Sequence, residues 1–371
     1  MNEIENIMME SITDCSKFFS EMLENRTSIT KDFVRLFKEN NIKRVYLSGH
    51  GSPWDAAVSI KVMLVNILKV DTTCEIPTLF NNYEGFNVGN NYKPEEMVLI
   101  CPAGTGKTRG PVIAAEKAKK LGIKVVVSST EQVGRLYNAA DVYMDKLAGK
   151  EINFPDCKGH LCTLFLYAMC IIDAAYSLNR ISEEEYIKYN NVLSSIAEKH
   201  SSIIADTKKW YEDNKELLVT ANNARIIGYG SNYGTAIEGA LKISEGTRIQ
   251  AAGWELEQYL HGPILSLLPT DLFFVIGSNG IEKDKAKRIS KLINDSMCKN
   301  TIFICSKEDT VDGVNNLVCD FIEDEIFSCI QYVVVFQVLT TLTAKDRGHS
   351  TVNVIPGYEE IDEYLETRFF D

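Results

Sequence analysis

One local pattern occurs twice in this chain, and it constrains the fold more than any other feature. Each time, a short apolar segment enters a turn that contains Gly-Ser, and the turn opens a helix-like segment. The two turns are Gly51-Ser52 and Gly230-Ser231. Glycine permits the positive φ and the close backbone approach that a strand-to-helix turn needs. The pattern therefore predicts a tandem duplication of one α/β unit, with a repeat of roughly 180 residues.

Segments typical of strands alternate with segments typical of helices along most of the chain. The predicted strands cover residues 43–48, 71–76, 96–101, 124–128 and 140–145 in the first half, and 224–228, 271–277, 300–305 and 318–322 in the second. Strands that alternate with helices of this length form a mostly parallel, doubly wound sheet. We therefore expect an N-terminal helical segment at 1–41, a first α/β domain at 42–180, a helical connection at 181–223, a second α/β domain at 224–345 and a tail at 346–371.

The charge and composition of the chain argue against several classes of protein. Its 371 residues carry a formal net charge of −12 and no block rich in Lys or Arg, which argues against nucleic acid or an anionic membrane as a partner. The start lacks the features of a signal peptide, and no apolar run approaches the roughly 20 residues of a membrane span. The ten cysteines show no CxxC spacing, so we expect reduced thiols and no metal site. The sequence predicts a soluble cytoplasmic protein without a cofactor.

A loop rich in glycine and hydroxyl groups follows the third predicted strand. It reads Ala103-Gly104-Thr105-Gly106-Lys107-Thr108. A nucleotide-binding P-loop would require glycine at position 101, where this chain has Cys101, so the sequence argues against an ATPase. Two hydroxyls, a lysine and backbone N–H groups before a helix can nevertheless hold a phosphate group. A solvated turn without a ligand is an equally acceptable interpretation of these residues.

A carboxylate and an imidazole follow the second Gly-Ser turn. Glu245 lies in the predicted helix after that turn, and His261 follows it sixteen positions later. These two side chains are suited to moving protons near neutral pH. Taken alone, a helix glutamate is more often a solvated surface group, and a histidine before Gly-Pro is more often a turn residue.

The segment from Gly228 to Pro263 resembles the sugar isomerase (SIS) family. The run Glu238-Gly-Ala-Leu-Lys242 is followed by Glu245 and then by His261-Gly-Pro263. The likeness is to the branch with two SIS domains, which contains the isomerase half of glucosamine-6-phosphate synthase and the deglycases of Amadori-product phosphates. The first half agrees, since Gly51-Ser52-Pro53 is similar to the deglycase turn and residues 103–108 occupy the place of the family's phosphate loop. The resemblance implies two tandem doubly wound, flavodoxin-like domains.

The resemblance also implies roles for individual residues. Glu245 and His261 would be catalytic, and the phosphate would be bound by Gly51, Ser52, Gly104, Thr105, Gly106, Lys107 and Thr108. The Gly228–Ser231 turn would then be a structural remnant of the duplication. His261 would enter the site of a neighbouring subunit, which predicts a homodimer or higher homo-oligomer with a shared active site.

Three departures from the synthases narrow the expected reaction. The second residue is Asn2 where the synthases carry a nucleophilic cysteine, and no glutaminase domain fits before the first SIS unit, which argues against glutamine-dependent amination. Ala103 replaces a phosphate-loop serine, and Asp156-Cys157 replaces a Ser-Thr pair. The tail has no lysine after Lys345, so the Schiff-base lysine of the synthases is missing. A deglycase route through glutamate and histidine alone is therefore favoured.

We therefore predict an enzyme that cleaves a fructosamine (Amadori) 6-phosphate into glucose 6-phosphate and a free amine or amino acid. An aldose–ketose isomerase and an amino-sugar-phosphate deaminase are alternatives within the family. A non-catalytic phosphosugar sensor is an alternative of another class. Asp156, His349 and Arg368 are candidate contacts for the substrate. The sequence leaves the identity of the amine open.

Overall fold

The structure of the chain contains two five-stranded sheets. It is a computed structural model that describes residues 4–149, 151–352, 355–358 and 360–361. The first sheet has the order β2-β1-β3-β4-β5 and consists of β1 (Arg44–Ser48), β2 (Asp71–Glu75), β3 (Met97–Pro102), β4 (Lys124–Ser129) and β5 (Val142–Asp145). The second has the order β10-β9-β8-β6-β7 and consists of β6 (Asn223–Gly228), β7 (Gln250–Glu255), β8 (Leu272–Ile276), β9 (Thr301–Cys305) and β10 (Asn315–Val318). Every strand pair in these two sheets is parallel, which confirms the predicted α/β class.

The two sheets repeat one topology. When the strands of the second sheet are counted from β6, their order is the same 2-1-3-4-5 order that the first sheet shows. In sheets of this kind the winding direction reverses between the first and third strands, and ligands bind outside the carboxyl ends of the strands at that switch point. The switch points lie between β1 and β3 and between β6 and β8. The two Gly-Ser turns and the loop at 103–108 all follow these strands.

The helices alternate with the strands as the sequence pattern predicts. They are α1 (Ile4–Glu24), α2 (Arg26–Glu39), α3 (Ser52–Met63), α4 (Pro77–Leu79), α5 (Arg109–Lys120), α6 (Gly134–Ala139), α7 (Lys158–Ser177), α8 (Glu183–Thr220), α9 (Asn232–Thr247), α10 (Leu256–Leu260), α11 (Lys283–Ser296) and α12 (Cys329–Asp346). Short π-helical or 3₁₀ turns lie at Leu64–Leu68, Phe80–Glu84, Pro94–Glu96, Pro263–Ser266 and Lys307–Asp309. The helical segment predicted at the N-terminus forms two helices that are separated at Asn25.

Buried strands supply the core of each sheet. β3, β8 and β9 are buried along their whole length, and their apolar runs are typical of strands that are covered on both faces. The helix α7 is also largely buried. Among the described residues, α7 is the one helix that is long and apolar enough to cross a membrane. However, 89% of its most apolar window is buried inside the structure. The core helix of a folded domain shows burial of this kind.

Two strands of the second sheet differ from the prediction. The sequence pattern did not predict β7. This strand is only partly buried and pairs with β6 alone, at the edge of the sheet. Such a strand lacks the continuous apolar run by which a buried strand is recognised. The last strand pairs at Asn315–Val318 and not at the predicted 318–322. Its Asn316 amide is satisfied locally, since Nδ2 donates to the carbonyls of Val311 and Val314.

Each sheet lies in its own compact unit, and neither unit is continuous in sequence. The first-sheet unit contains Lys17–Glu151 and Lys158–Asn191. The second-sheet unit contains Met1–Ser16, Ile152–Cys157 and Val192–Asn353. The linear boundaries expected at residues 42, 181, 224 and 346 remain predictions.

Candidate functional site

The Gly51-Ser52 turn lies at the carboxyl end of β1, at the first switch point. Gly51 has φ +62°, a conformation that residues with a Cβ rarely adopt, and the turn leads directly into α3. Ser52 is the first residue of α3 and is buried. Nδ1 of His160 lies 3.2 Å from the carbonyl oxygen of Ser52. Because a carbonyl oxygen only accepts, this nitrogen carries the imidazole proton, and the bond holds the turn against α7.

Residues 104–108 form the loop between β3 and α5, on the other side of the same switch point. Gly106 has φ +78°, which the loop needs in order to turn into the helix. The side chains of Thr105 and Thr108 are exposed at this point. Their hydroxyls are donors that the loop can offer to a phosphate group, and the positive end of the α5 dipole lies beside them.

Two contacts with residues 130 and 131 fix this loop. The carbonyl of Gly104 accepts hydrogen bonds from the backbone N–H of Thr130 at 3.0 Å and from its hydroxyl at 3.2 Å. Lys107 Nζ lies 3.1 Å from Glu131 Oε2. The positive charge of Lys107 is therefore partly neutralised by the carboxylate of Glu131, which leaves the threonine hydroxyls as the main groups of this loop for binding an anion.

His50 connects the two loops at the first switch point. A Cβ at Gly110, in the first turn of α5, would lie 2.7 Å from His50 Nε2 and 2.7 Å from the Cβ of Pro77. His50 therefore packs directly against the start of α5, and glycine at position 110 makes room for it. Burial lowers the pKa of His50, which favours the neutral imidazole at pH 7. The prediction did not include this residue, although its place between two glycines of the turn was an available signal.

Helix α9 places three charged side chains on one face. Glu238, Lys242 and Glu245 follow one another at i, i+4 and i+7, so their side chains lie side by side. Lys242 Nζ is 2.8 Å from Glu245 Oε2 and 3.5 Å from Glu238 Oε1. The side chains of Glu238 and Lys242 are 0% and 1% exposed, whereas that of Glu245 is 22% exposed. Glu245 is thus the member of this cluster that a small molecule can reach.

Burial and charge set the proton affinities of this cluster. Burial raises the pKa of Glu245, and the ammonium of Lys242 counteracts this only in part. Burial acts to lower the pKa of Lys242, but the carboxylates of Glu238 and Glu245 outweigh it, so that its pKa is raised. Lys242 is therefore a fixed cation, and Glu245 is a carboxylate with an increased affinity for protons. The prediction missed Lys242 as a site residue, although its spacing from both glutamates could have identified it.

His261 lies away from this cluster, at the C-terminal end of α10. Its side chain is 68% exposed, and Nδ1 lies 2.9 Å from the carbonyl oxygen of Glu257. Within the described residues, no hydrogen bond or ion pair joins it to Glu245. The structure of a single chain therefore does not bring the two predicted catalytic side chains into contact.

The three candidate substrate contacts differ in their surroundings. The Asp156 carboxylate lies close enough to the α9 cluster to raise the pKa of both Lys242 and Glu245. His349 follows α12, and burial together with Arg347 lowers its pKa. Arg368 lies outside the described residues. In the part of the chain that the structure covers, no group of three or more His, Cys, Asp or Glu side chains is arranged to hold a metal ion.

The second switch point is covered by the chain itself. Ser231 is buried, and its hydroxyl donates to the carbonyl of Glu325 at 3.0 Å. Asn232 Nδ2 donates to Ser328 Oγ at 2.7 Å, and Glu325 Oε1 accepts from the backbone N–H of Ile281 at 3.3 Å. The start of α9 is therefore satisfied by residues just before α12. This arrangement agrees with the interpretation of the second Gly-Ser turn as a remnant of the duplication.

Comparisons with known proteins identify the relatives of this chain. Residues 217–344 match the family model described as SIS domain. The isomerizing glutamine–fructose-6-phosphate aminotransferase of Thermotoga maritima is 28% identical over 258 residues, which are 65% of this chain and 40% of that protein. The corresponding protein of Clostridium perfringens is 21% identical over 359 residues, which are 93% of this chain and 57% of the relative. The chain thus spans about half the length of these curated relatives.

A solved structure shows the same fold over nearly the whole chain. It is the C-terminal domain of glucosamine-fructose-6-phosphate aminotransferase from Francisella tularensis, with a TM-score of 0.84 and 18% identity. The match covers 94% of this chain and 98% of that one. At this level of identity the match establishes the common fold.

Proposed function

We propose that this chain, whose residues 217–344 match the SIS domain family model, acts on a phosphorylated sugar. The proposed reaction is the cleavage of a fructosamine 6-phosphate into glucose 6-phosphate and a free amine. The Lys242–Glu245 pair carries this proposal, because it provides a carboxylate in a fixed position whose pKa is raised. Removing a proton from a carbon beside a carbonyl group requires a base of this kind.

The proposed reaction moves protons between C1 and C2 of the sugar. In the substrate the amine nitrogen is bonded to C1, and the carbonyl group is at C2. Glu245 takes a proton from C1, the electron pair of that bond forms a C1–C2 double bond, and the C2 oxygen gains a proton to give an enaminol. A proton then adds to C2 while the nitrogen lone pair forms a C1–N double bond. Water adds to C1 of this iminium ion and the C1–N bond breaks, which yields glucose 6-phosphate and the amine.

Lys242 is assigned an electrostatic role in this scheme. Its raised pKa keeps it protonated, and a protonated amine is not a nucleophile. A route without a Schiff base to the protein is therefore preferred, and Lys242 serves to orient Glu245 and to limit the rise of its pKa.

His261 is assigned the proton transfers at the sugar oxygens. An imidazole exchanges protons readily near pH 7. Because its side chain is 68% exposed, we propose that it serves a second copy of the chain and that a homodimer is the functional unit.

The phosphate group of the substrate is assigned to the first switch point. The groups that support this assignment are the exposed hydroxyls of Thr105 and Thr108 and the positive end of the α5 helix dipole. Hydroxyl donors at a helix N-terminus can hold a phosphate group without a net positive field, which this chain of charge −12 does not provide.

One assay panel tests this function. The protein is incubated with several fructosamine 6-phosphates, with glucosamine 6-phosphate and with glucose 6-phosphate, and sugar phosphates, ammonia and amines are measured together. Release of glucose 6-phosphate and an organic amine is the expected result. Release of ammonia from glucosamine 6-phosphate would indicate a deaminase instead, and interconversion of glucose and fructose 6-phosphates an isomerase. Binding without any turnover would indicate a sensor.

A further inference from the structure

The short segment Ile152–Cys157 belongs to the second-sheet unit, and side-chain hydrogen bonds fix it there. Asn153 is buried and bonds in two directions. Its Oδ1 accepts from the hydroxyl of Ser11 at 2.7 Å, and its Nδ2 donates to the carbonyl of Pro155 at 2.6 Å. The backbone on the N-terminal side of Asp156 is therefore held in place.

The other side of Asp156 is held by α9 and α12. Gln337 Nε2, on α12, donates to the carbonyl of Cys157 at 3.1 Å. Pro155 packs against the end of α9, since a Cβ at Gly246 would lie 3.8 Å from its ring carbons. Gly246 directly follows Glu245 in the sequence. These contacts place Asp156 beside the reachable end of the α9 cluster, on a backbone with little freedom to move.

Asp156 changes the balance of charge at this place. The cluster on α9 has two carboxylates, Glu238 and Glu245, and the single ammonium of Lys242. Asp156 adds a third carboxylate, and its charge acts on both Lys242 and Glu245. Arg248 is a second cation at this place, since its guanidinium donates to the carbonyl of Glu245, so three carboxylates face two cations beside the proposed base. A neutral sugar gains nothing from this surplus, whereas a ligand that carries a positive charge is attracted by it.

We infer that Asp156 is the specificity-determining residue that selects substrates with a protonated amine on C1 over neutral ketose phosphates. This inference rests on the proposed function of the same site. The amine of a fructosamine is basic and carries a proton near neutral pH, so a carboxylate on this fixed backbone can pair with its N–H groups. The positive charge next to C1 also makes the C1 proton easier to remove, which assists Glu245. The ammonium then loses a proton to water, and the neutral nitrogen has the lone pair that forms the C1–N double bond. Glucose and fructose 6-phosphates offer no cation at this position and gain neither effect.

The experiment compares two unreactive ligands that differ only at C1. Sorbitol 6-phosphate and 1-amino-1-deoxysorbitol 6-phosphate both lack the C2 carbonyl group, so neither can be turned over. Dissociation constants are measured by calorimetry for the wild-type protein and for Asp156→Asn and Asp156→Glu. The wild type is expected to bind the amine ligand more tightly, and D156N to lose about 10- to 100-fold of that preference. D156E keeps the charge and should retain most of the preference.

A purely structural role of Asp156, or a role only in setting the pKa of Glu245, gives a different result. Either role would change the binding of both ligands by similar factors, and this outcome would overturn the inference. A third ligand, 1-acetamido-1-deoxysorbitol 6-phosphate, tests the wild type without any substitution, because its amide is uncharged. This ligand should bind no better than sorbitol 6-phosphate. If it binds as tightly as the amine, the site does not recognise the charge and the inference is wrong.

Failure of the proposed function looks different from failure of this inference. A wild-type protein that binds none of the three ligands and turns over no phosphosugar would contradict the function itself. A wild-type protein that cleaves fructosamine 6-phosphates while D156N keeps the full preference for the amine would contradict only the role of Asp156.

Discussion

Lys242 Nζ lies 2.8 Å from Glu245 Oε2 on helix α9, and Glu238 Oε1 lies 3.5 Å from the same ammonium. Two carboxylates thus share one buried cation. The proton affinity of Glu245 is set by opposing effects, since burial and the carboxylates of Glu238 and Asp156 raise its pKa and Lys242 lowers it.

Glu245→Gln is expected to remove the catalytic base while preserving the shape of the side chain. Turnover of a fructosamine 6-phosphate should fall by about 10²- to 10⁴-fold, the usual contribution of a general base. The dissociation constant for sorbitol 6-phosphate should change little, because the phosphate group is assigned to other residues. Steady-state kinetics and calorimetry measure the two quantities. Glu216→Gln, at an exposed position of α8, is the matched control. An E245Q protein that keeps its activity would exclude Glu245 as the base.

Lys242→Met is expected to destabilise the protein strongly. The substitution removes the buried positive charge that faces Glu238 and Glu245. Removing one partner of a buried ion pair lowers the free energy of unfolding by about 3–5 kcal/mol. Urea unfolding measures the free energy. Lys285→Met is the matched control, because Lys285 pairs with Glu257 at 2.7 Å on the surface, where such a pair contributes about 0–1 kcal/mol. Equal losses in the two variants would contradict a buried, energetically coupled cluster.

The rate should depend on pH through the ionisation of Glu245. The base acts when deprotonated, so kcat/KM should fall as the pH drops through a pKa that lies above the ordinary value of 4.5. In K242M this limb should move to higher pH, because the ammonium that lowers the pKa is gone. Since the folded-state pKa exceeds the unfolded one, the stability contributed by this group is present at low pH and is lost as the pH rises through the folded-state pKa. E245Q should abolish that part of the pH dependence of urea unfolding. If the acid limb of the kcat/KM profile is unchanged in K242M, Lys242 does not lower the pKa of Glu245.

Gly246→Ala is expected to disturb the packing of α9 against α12. A Cβ at this position would lie 2.4 Å from Thr340 Cγ2, so either a helix or the side chain must move. Overpacking of this kind costs about 1–3 kcal/mol, which urea unfolding will show. Thr340→Ser removes the methyl group in question, so the double variant should recover part of the loss. Strictly additive losses in G246A and T340S would mean that the predicted clash is absent.

The chain is expected to bind one phosphosugar per polypeptide. The first switch point offers the exposed hydroxyls of Thr105 and Thr108, whereas at the second Ser231 and Asn232 are bonded to the segment before α12. Calorimetry should therefore give a stoichiometry of one with sorbitol 6-phosphate.

Paired substitutions locate that single site. The double variant Thr105→Val, Thr108→Val should weaken binding by about tenfold or more, since two donors to an anionic group are lost. Ser231→Ala should leave the affinity unchanged even if it lowers stability. A stoichiometry of two, or weakened binding in S231A, would show that the second turn is a ligand site.

The strand pattern alone predicted the fold class because the central strands of both sheets are continuous apolar runs. β3 and β8 are buried along their length, and such segments are visible without any knowledge of their partners. β7 was missed because half-exposed edge strands have no comparable signal. The correct register of β10 also depended on tertiary pairing, since the apolar residues that suggested 318–322 lie just beyond the paired positions.

The residues of the candidate site also differ in whether local sequence or long-range contacts reveal them. Glu245 could be found in the sequence, and Lys242 also follows from helical spacing once Glu238 and Glu245 are considered together. The place of Asp156 beside α9 could not be derived from spacing, because it depends on contacts between segments far apart in the chain. The contact between His50 and Gly110 is of the same kind.

The alternation of the two units along the chain has a practical consequence for dissecting this protein. A fragment that begins at Val192 would contain the whole second sheet and Glu245, but it would lack Ile152–Cys157 and the first sixteen residues that complete the same unit. Met8, Ile12 and Cys15, which are fully buried in the intact chain, would be absent, and the apolar surface they cover would face water. No single proteolytic cut or expression boundary separates the two halves cleanly. A working half-protein would require a circular permutation or a three-piece reassembly.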